Sequence, residues 1–104
     1  MRNKYYAKRT NGFSSKREAN RAQELQILER IGEIKDLKYQ VNFVLVPSDG
    51  AYKRPLSYTA DFVYQENGLT IVEDCKGFKT PVYRLKKRIT EALYPGVVIV
   101  EITR

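Results

Sequence analysis

The stretch Tyr58–Phe78, YTADFVYQENGLTIVEDCKGF, decides the fold. It sits within two runs rich in β-branched and aromatic residues, LSYTADFVY (56–64) and LTIVEDCKGF (69–78), which read as strands. Glu66, Asn67 and Gly68 lie between them, and Asn-Gly is the strongest short hairpin signal because both central residues of its turn need positive φ. With Asn67-Gly68 as the turn, Glu66 pairs with Leu69, and each step outward adds one pair until Asp61 falls opposite Asp74. Alternation along the strand puts Lys76 on the face of Asp74 and Glu73 on the other. The register therefore predicts a cluster of Asp61, Asp74 and Lys76. A three-residue loop or a bulge would instead bring Asp61 beside Glu73 or Cys75.

Working outward, FSSKREANRAQELQILERIGEIKDL (13–37) opens with Ser14 or Ser15 as cap and Glu18 three residues after Ser15, as in a capping box. Ala22, Leu25, Leu28 and Ile31 follow at helical spacing, Ile27 widens the stripe, and Gly32 ends it, so the pattern predicts a helix over 15–31. LKYQVNFVLV (37–46) reads as a strand and PSDGAYKRP (47–55) as a loop. TPVYRLKKRITEALY (80–94) is a second helix, with Thr80 as N-cap and Pro81 at its first position, broken by Pro95-Gly96. VVIVEIT (97–103) is largely apolar and is expected to be a central or parallel strand. The order is αβββαβ: one α/β or α+β domain over 14–104, with a mixed four-stranded sheet flanked by helices. Residues 1–13, basic with two tyrosines, form an expected flexible arm that either touches DNA or has no role.

The chain has 104 residues, one modest core's worth, and its 42% hydrophobic content marks a folded globule rather than a disordered chain. A formal charge of +7 suits a polyanionic partner, nucleic acid above all, although it also serves solubility. There is no histidine, which removes Ser-His-Asp triads, Cys-His dyads and histidine-bound zinc together. Cys75 is the one cysteine, so no disulfide within the chain and no multi-cysteine zinc site can form, and a cytosolic setting fits. No stretch approaches the roughly 20 apolar residues of a membrane span. Any catalysis must then use carboxylates, lysines, tyrosines or a hard metal ion.

Two aspartates directly opposite each other repel, and partial burial would force a proton onto one of them. A divalent cation removes the conflict. Mg2+ takes oxygen ligands, needs only one or two carboxylates, and keeps waters for a phosphate substrate. Asp61, Asp74 and the carbonyl of Cys75 could hold it, and Lys76 could orient or deprotonate the attacking water or stabilise charge on phosphate. The alternative is an ion pair of Lys76 with either aspartate on a solvated sheet face.

The pattern Ala60-Asp61 … Asp74-Cys75-Lys76 resembles the PD-(D/E)xK nuclease superfamily, and the αβββαβ order resembles its restriction-endonuclease-like core over most of the chain. The blocks FSSKREA, YTADF and VEDCKGFKT look closer still to a small phage-encoded family with the corresponding patterns F-x-S-K-x-E-A, Y-x-A-D-F and V-E-D-x-K-G-F-K-T. Two departures stand out: Ala60 replaces the usual proline, and Glu73 precedes Asp74, where it could compete as a ligand. The resemblance implies a Mg2+-dependent endodeoxyribonuclease, with Mn2+ as a possible substitute, in the cytoplasm of a phage-infected or prophage-carrying host. It implies Glu18, Asp61, Asp74 and Lys76 as catalytic residues, with Glu18 as the acid from the first helix and Glu24 as the alternative. It extends to Holliday-junction resolvases, which act as dimers on branched DNA, and so raises a homodimer. Lys79, Lys86, Lys87 and Arg88 on or near the second helix suit phosphate contacts, with a solvated helix face as the alternative. Gln40 on the first strand could position a water or phosphate. Tyr83 either packs in the core or stacks on a base.

Overall fold

The computed structural model describes residues 16–75 and 80–102. In chain order these form α1 (Lys16–Arg30), β1 (Lys35–Val46), β2 (Leu56–Glu66), β3 (Leu69–Asp74), α2 (Pro81–Leu93) and β4 (Val97–Glu101). The αβββαβ order is therefore the one the sequence predicts. The strands make one mixed sheet in the order β1-β2-β3-β4, antiparallel except for the parallel pair β3–β4. β4 is parallel as expected but lies at the sheet edge rather than at its centre, and its burial alternates. The α2 connection allows this: a parallel neighbour needs a crossover, and β3-α2-β4 supplies it. Among the described residues no helix is long and apolar enough to cross a membrane. The arm over 1–13 lies outside the described residues.

Local chemistry accounts for the element ends. Asn67 (φ 52°) and Gly68 (φ 79°) take the positive φ values the tight turn demands, and Glu66 pairs with Leu69. The Thr80 hydroxyl accepts the Tyr83 N–H at 3.0 Å, and Pro81 opens α2 where no N–H is needed. Gly32 (φ 86°) closes α1.

Each helix covers its own face of the sheet. Ala22 and Leu25 of α1 pack with Ile34, Phe62, Tyr64 and Ile71. Tyr83 of α2 packs with Leu45, Tyr58, Ala60, Val63 and Val72 on the other face. Ile27 and Ile31 do not join the buried stripe; they are 54% and 64% exposed, while Leu28 between them packs against the core on the α1 face.

The β1–β2 hairpin changes faces midway. In β2, Tyr58 and Ala60 point to α2, whereas Phe62 and Tyr64 point to α1. In β1, Tyr39 meets Phe62 on the α1 face, whereas Val41 and Phe43 pack with the α2 cluster. The reversal falls between the pairs Tyr39↔Phe62 and Val41↔Ala60, at Gln40 and Asp61. Gln40 absorbs it with φ 53°, a left-handed value in mid-strand. A period-2 reading of β2 cannot anticipate this phase change.

Candidate active site

The hairpin register is the predicted one, but the β2–β3 ladder ends at Phe62↔Glu73, one pair before Asp61 and Asp74. Past that point Asp61 Oδ2 accepts the Cys75 N–H at 2.7 Å, so a side chain takes the place of a ladder carbonyl. Asp61 thus reaches into the gap where β2 and β3 part. Asp74 is 1% exposed on the α2 face, and its Oδ2 accepts the Tyr58 hydroxyl at 2.7 Å. Both aspartates lie where β2 and β3 part, but not as the directly opposed pair on one face that the register predicts. The reversal at Asp61 is the physical reason.

Glu18 joins them from α1. It is 3% exposed, and its Oε2 accepts the Gln40 carboxamide at 2.7 Å. The same Gln40 Nε2 reaches Asp61 Oδ1 at 3.4 Å. Gln40 therefore bridges two carboxylates rather than standing apart as a phosphate contact. Glu24, the alternative helix acid, faces outward with 63% of its side chain exposed and pairs with Arg21. The Cys75 thiol senses the whole assembly: burial first, then the charges of Asp61, Glu18, Glu73 and Asp74, push it up to about 12.

Glu73, the possible competitor, is fully engaged on the α1 face. Arg21 Nε donates to its Oε1 at 2.7 Å and Arg21 Nη2 to its Oε2 at 2.6 Å, a bidentate fork, and the Tyr64 hydroxyl also donates to Oε2. The half-buried guanidinium thus neutralises the buried carboxylate. The tyrosines register these contacts. Burial first, then the hydrogen bond to Asp74, raises the Tyr58 phenol well above its usual range, and burial with the Glu73 bond does the same to Tyr64.

On α2, Lys86 and Lys87 are half-buried and Arg88 is exposed. Lys87 Nζ lies 3.4 Å from Glu101 Oε2, which also accepts the Tyr83 hydroxyl at 2.8 Å. Tyr83 is buried in the core and is not displayed for a base. Lys76 and Lys79 lie outside the described residues.

Sequence reading missed Arg21, Tyr58 and Tyr64. A signal existed: two adjacent acids in an apolar strand must each find donors on opposite faces, and arginine or tyrosine at strand or helix spacing are the available ones.

Among the described residues no three Asp, Glu or Cys side chains stand together as a ready metal cage. The donor set is nonetheless one of hard oxygens, from Asp61, Asp74 and the Cys75 carbonyl, and Mg2+ asks a protein for only one or two carboxylates. These are oxygen donors of the kind that Mg2+ takes.

Neither the curated proteins nor the solved structures contain a match to this sequence. A family model does match, over residues 2–104, and by that match the chain belongs to the DUF1064 family, described as a protein of unknown function.

Proposed function

We propose that the chain is a Mg2+-dependent endodeoxyribonuclease of the PD-(D/E)xK type that hydrolyses phosphodiester bonds in branched DNA during phage recombination, repair or processing. One observation carries the reading: buried or half-buried acids from three separate elements, Glu18 of α1, Asp61 of β2 and Asp74 of β3, converge on the end of β3. Concentrating negative charge in this way costs stability unless a cation balances it.

Mg2+ held by Asp61, Asp74 and the Cys75 carbonyl would supply Lewis acidity toward a phosphate. The protein's own part is positional. Tyr58 orients Asp74, the Cys75 N–H orients Asp61, and Gln40 ties Glu18 to Asp61. Lys76 is assigned to the attacking water on the sequence pattern alone. Lys86, Lys87 and Arg88 of α2, with Lys79 after β3, serve the phosphate backbone.

A second reading, a DNA-binding protein without cleavage, draws on the fact that both oxygens of Asp61 and Oδ2 of Asp74 already accept from protein donors. Labelled single-stranded, duplex, flap and four-way-junction DNAs incubated with Mg2+, Mn2+ or EDTA separate the two. The expected result is metal-dependent cutting that Asp74→Asn abolishes while binding survives, since asparagine keeps an oxygen for the Tyr58 hydroxyl. Binding without cutting on every substrate selects the second reading.

A further inference from the structure

Glu101, at the C-terminal end of β4, lines two grooves at once. On the α1 face Lys16, Arg17, Asn20, Arg21 and Glu24 wall a groove of about 740 Å³. On the α2 face Arg84, Lys87, Arg88 and Glu91 wall one of about 530 Å³. In each, one cation is already committed: Arg21 to Glu73 and Glu24, and Lys87 to Glu101. That leaves Lys16 and Arg17 in the first groove and Arg84 and Arg88 in the second without a carboxylate partner among the described residues. Arg84 and Arg88 lie one turn apart on the same side of α2, where like charges repel. Glu91 and Glu101 line the same groove, which leaves one cation in excess to attract an anion.

The grooves lie on opposite faces of one sheet, and among the described residues they share Glu101 at the end of β4. There Glu101 pairs with Asp74, so the carboxylate site is adjacent. A duplex is stiff, with a persistence length of about 150 base pairs, and cannot fold around the edge of a single strand to occupy both grooves. Two arms diverging from a branch point can.

We propose that the end of β4 is a wedge at a DNA fork: the backbone of one arm lies in the Lys16–Arg17 groove and that of the other in the Arg84–Arg88 groove. The inference rests on the nucleic-acid reading above and narrows its substrate to forked DNA.

Binding measured in EDTA tests it without cleavage. Fluorescence anisotropy would compare a fork with two duplex arms, a linear duplex and a single strand of equal length. The proteins are the full chain, Lys16→Gln with Arg17→Gln, and Arg84→Gln with Arg88→Gln. The expected result is a fork bound at least about tenfold more tightly than either other DNA, since only the fork fills both grooves with phosphate contacts. Each double variant should lose that preference and lower the slope of log K against log salt by about 2. Thermal melting checks the fold. If a double variant melts early, the single changes Lys16→Gln and Arg88→Gln carry the comparison with a slope change of about 1.

Equal affinity for fork and duplex overturns the wedge. So does a single strand bound as tightly as the fork, or a groove variant that leaves fork binding unchanged. An absence of DNA binding overturns both this inference and the nucleic-acid reading. Fork-selective binding with no metal-dependent cutting retains the wedge and removes only the nuclease. Cutting without fork selectivity does the reverse.

Discussion

Arg21 holds Glu73 through a bidentate pair in which Glu73 is 1% and Arg21 24% exposed. The asymmetry sets the outcome of substitution. Removing the arginine strands a buried carboxylate, whereas removing the carboxylate leaves a guanidinium that can turn to water. Arg21→Met should cost about 3 kcal/mol of unfolding free energy, the low end for a broken buried pair because water reaches the arginine. Glu73→Gln should cost about half as much, and urea melts of both variants decide the order. The Cys75 thiol makes the second prediction at this scale. Its folded pKa, about 12, exceeds the unfolded value near 9, so folding favours the protonated thiol. That contribution is complete below about pH 9 and is lost as pH rises toward 12, because the unfolded chain releases its proton first. The stability of the natural chain relative to Cys75→Ala should therefore fall between about pH 9 and about pH 12. A constant difference across that window would remove the assigned charge environment.

At the scale of elements, the hairpin's change of face depends on Gln40. A non-glycine residue at left-handed φ costs about 1 kcal/mol, and glycine adopts that conformation freely. Gln40→Ala keeps the strain and loses the bridge to Glu18; Gln40→Gly loses the bridge but relieves the strain. Both should be less stable than the natural chain, since a hydrogen bond to a charged group contributes about 1.5–3 kcal/mol. Gly should nevertheless exceed Ala by about 0.5–1 kcal/mol in denaturant melts, the reverse of the usual order in a strand. Should Ala be the more stable, the left-handed conformation at Gln40 is not what the hairpin needs. The same residue shows how far the sequence can be read. The turn at Asn67-Gly68, the α2 cap and the hairpin register are local chemistry and were legible. The phase change was not, because it lets the two halves of one hairpin bury against different helices.

At the scale of the whole molecule, α2 covers the inner face of β4 and α1 stops short of the outer one. Val97 and Ile99 pack against the α2 cluster, whereas Val98 and Val100 are 41% and 36% exposed. Substitution should report that asymmetry. Ile99→Ala should cost about 2 kcal/mol, while Val98→Thr should stay within about 0.5 kcal/mol. Thermal melting of the pair is the check, and equal costs would mean that the outer face of β4 is covered. The site belongs to this scale too. Glu18, Asp61 and Asp74 come from α1, β2 and β3, and their meeting depends on how α1 lies over the sheet.

By itself the sequence determined the αβββαβ order, the hairpin register and the cap of α2, because these follow from turn geometry, capping and short-range periodicity. It also determined the absence of histidine chemistry and the basic charge. Tertiary structure alone decided that Glu18 rather than Glu24 faces the site, that Glu73 is consumed by Arg21 and Tyr64, and that β4 lies at the edge. It alone decided the reversal at Gln40 and Asp61. Each of these depends on which helix covers which half of which face, and periodicity within one element carries no information about its neighbours.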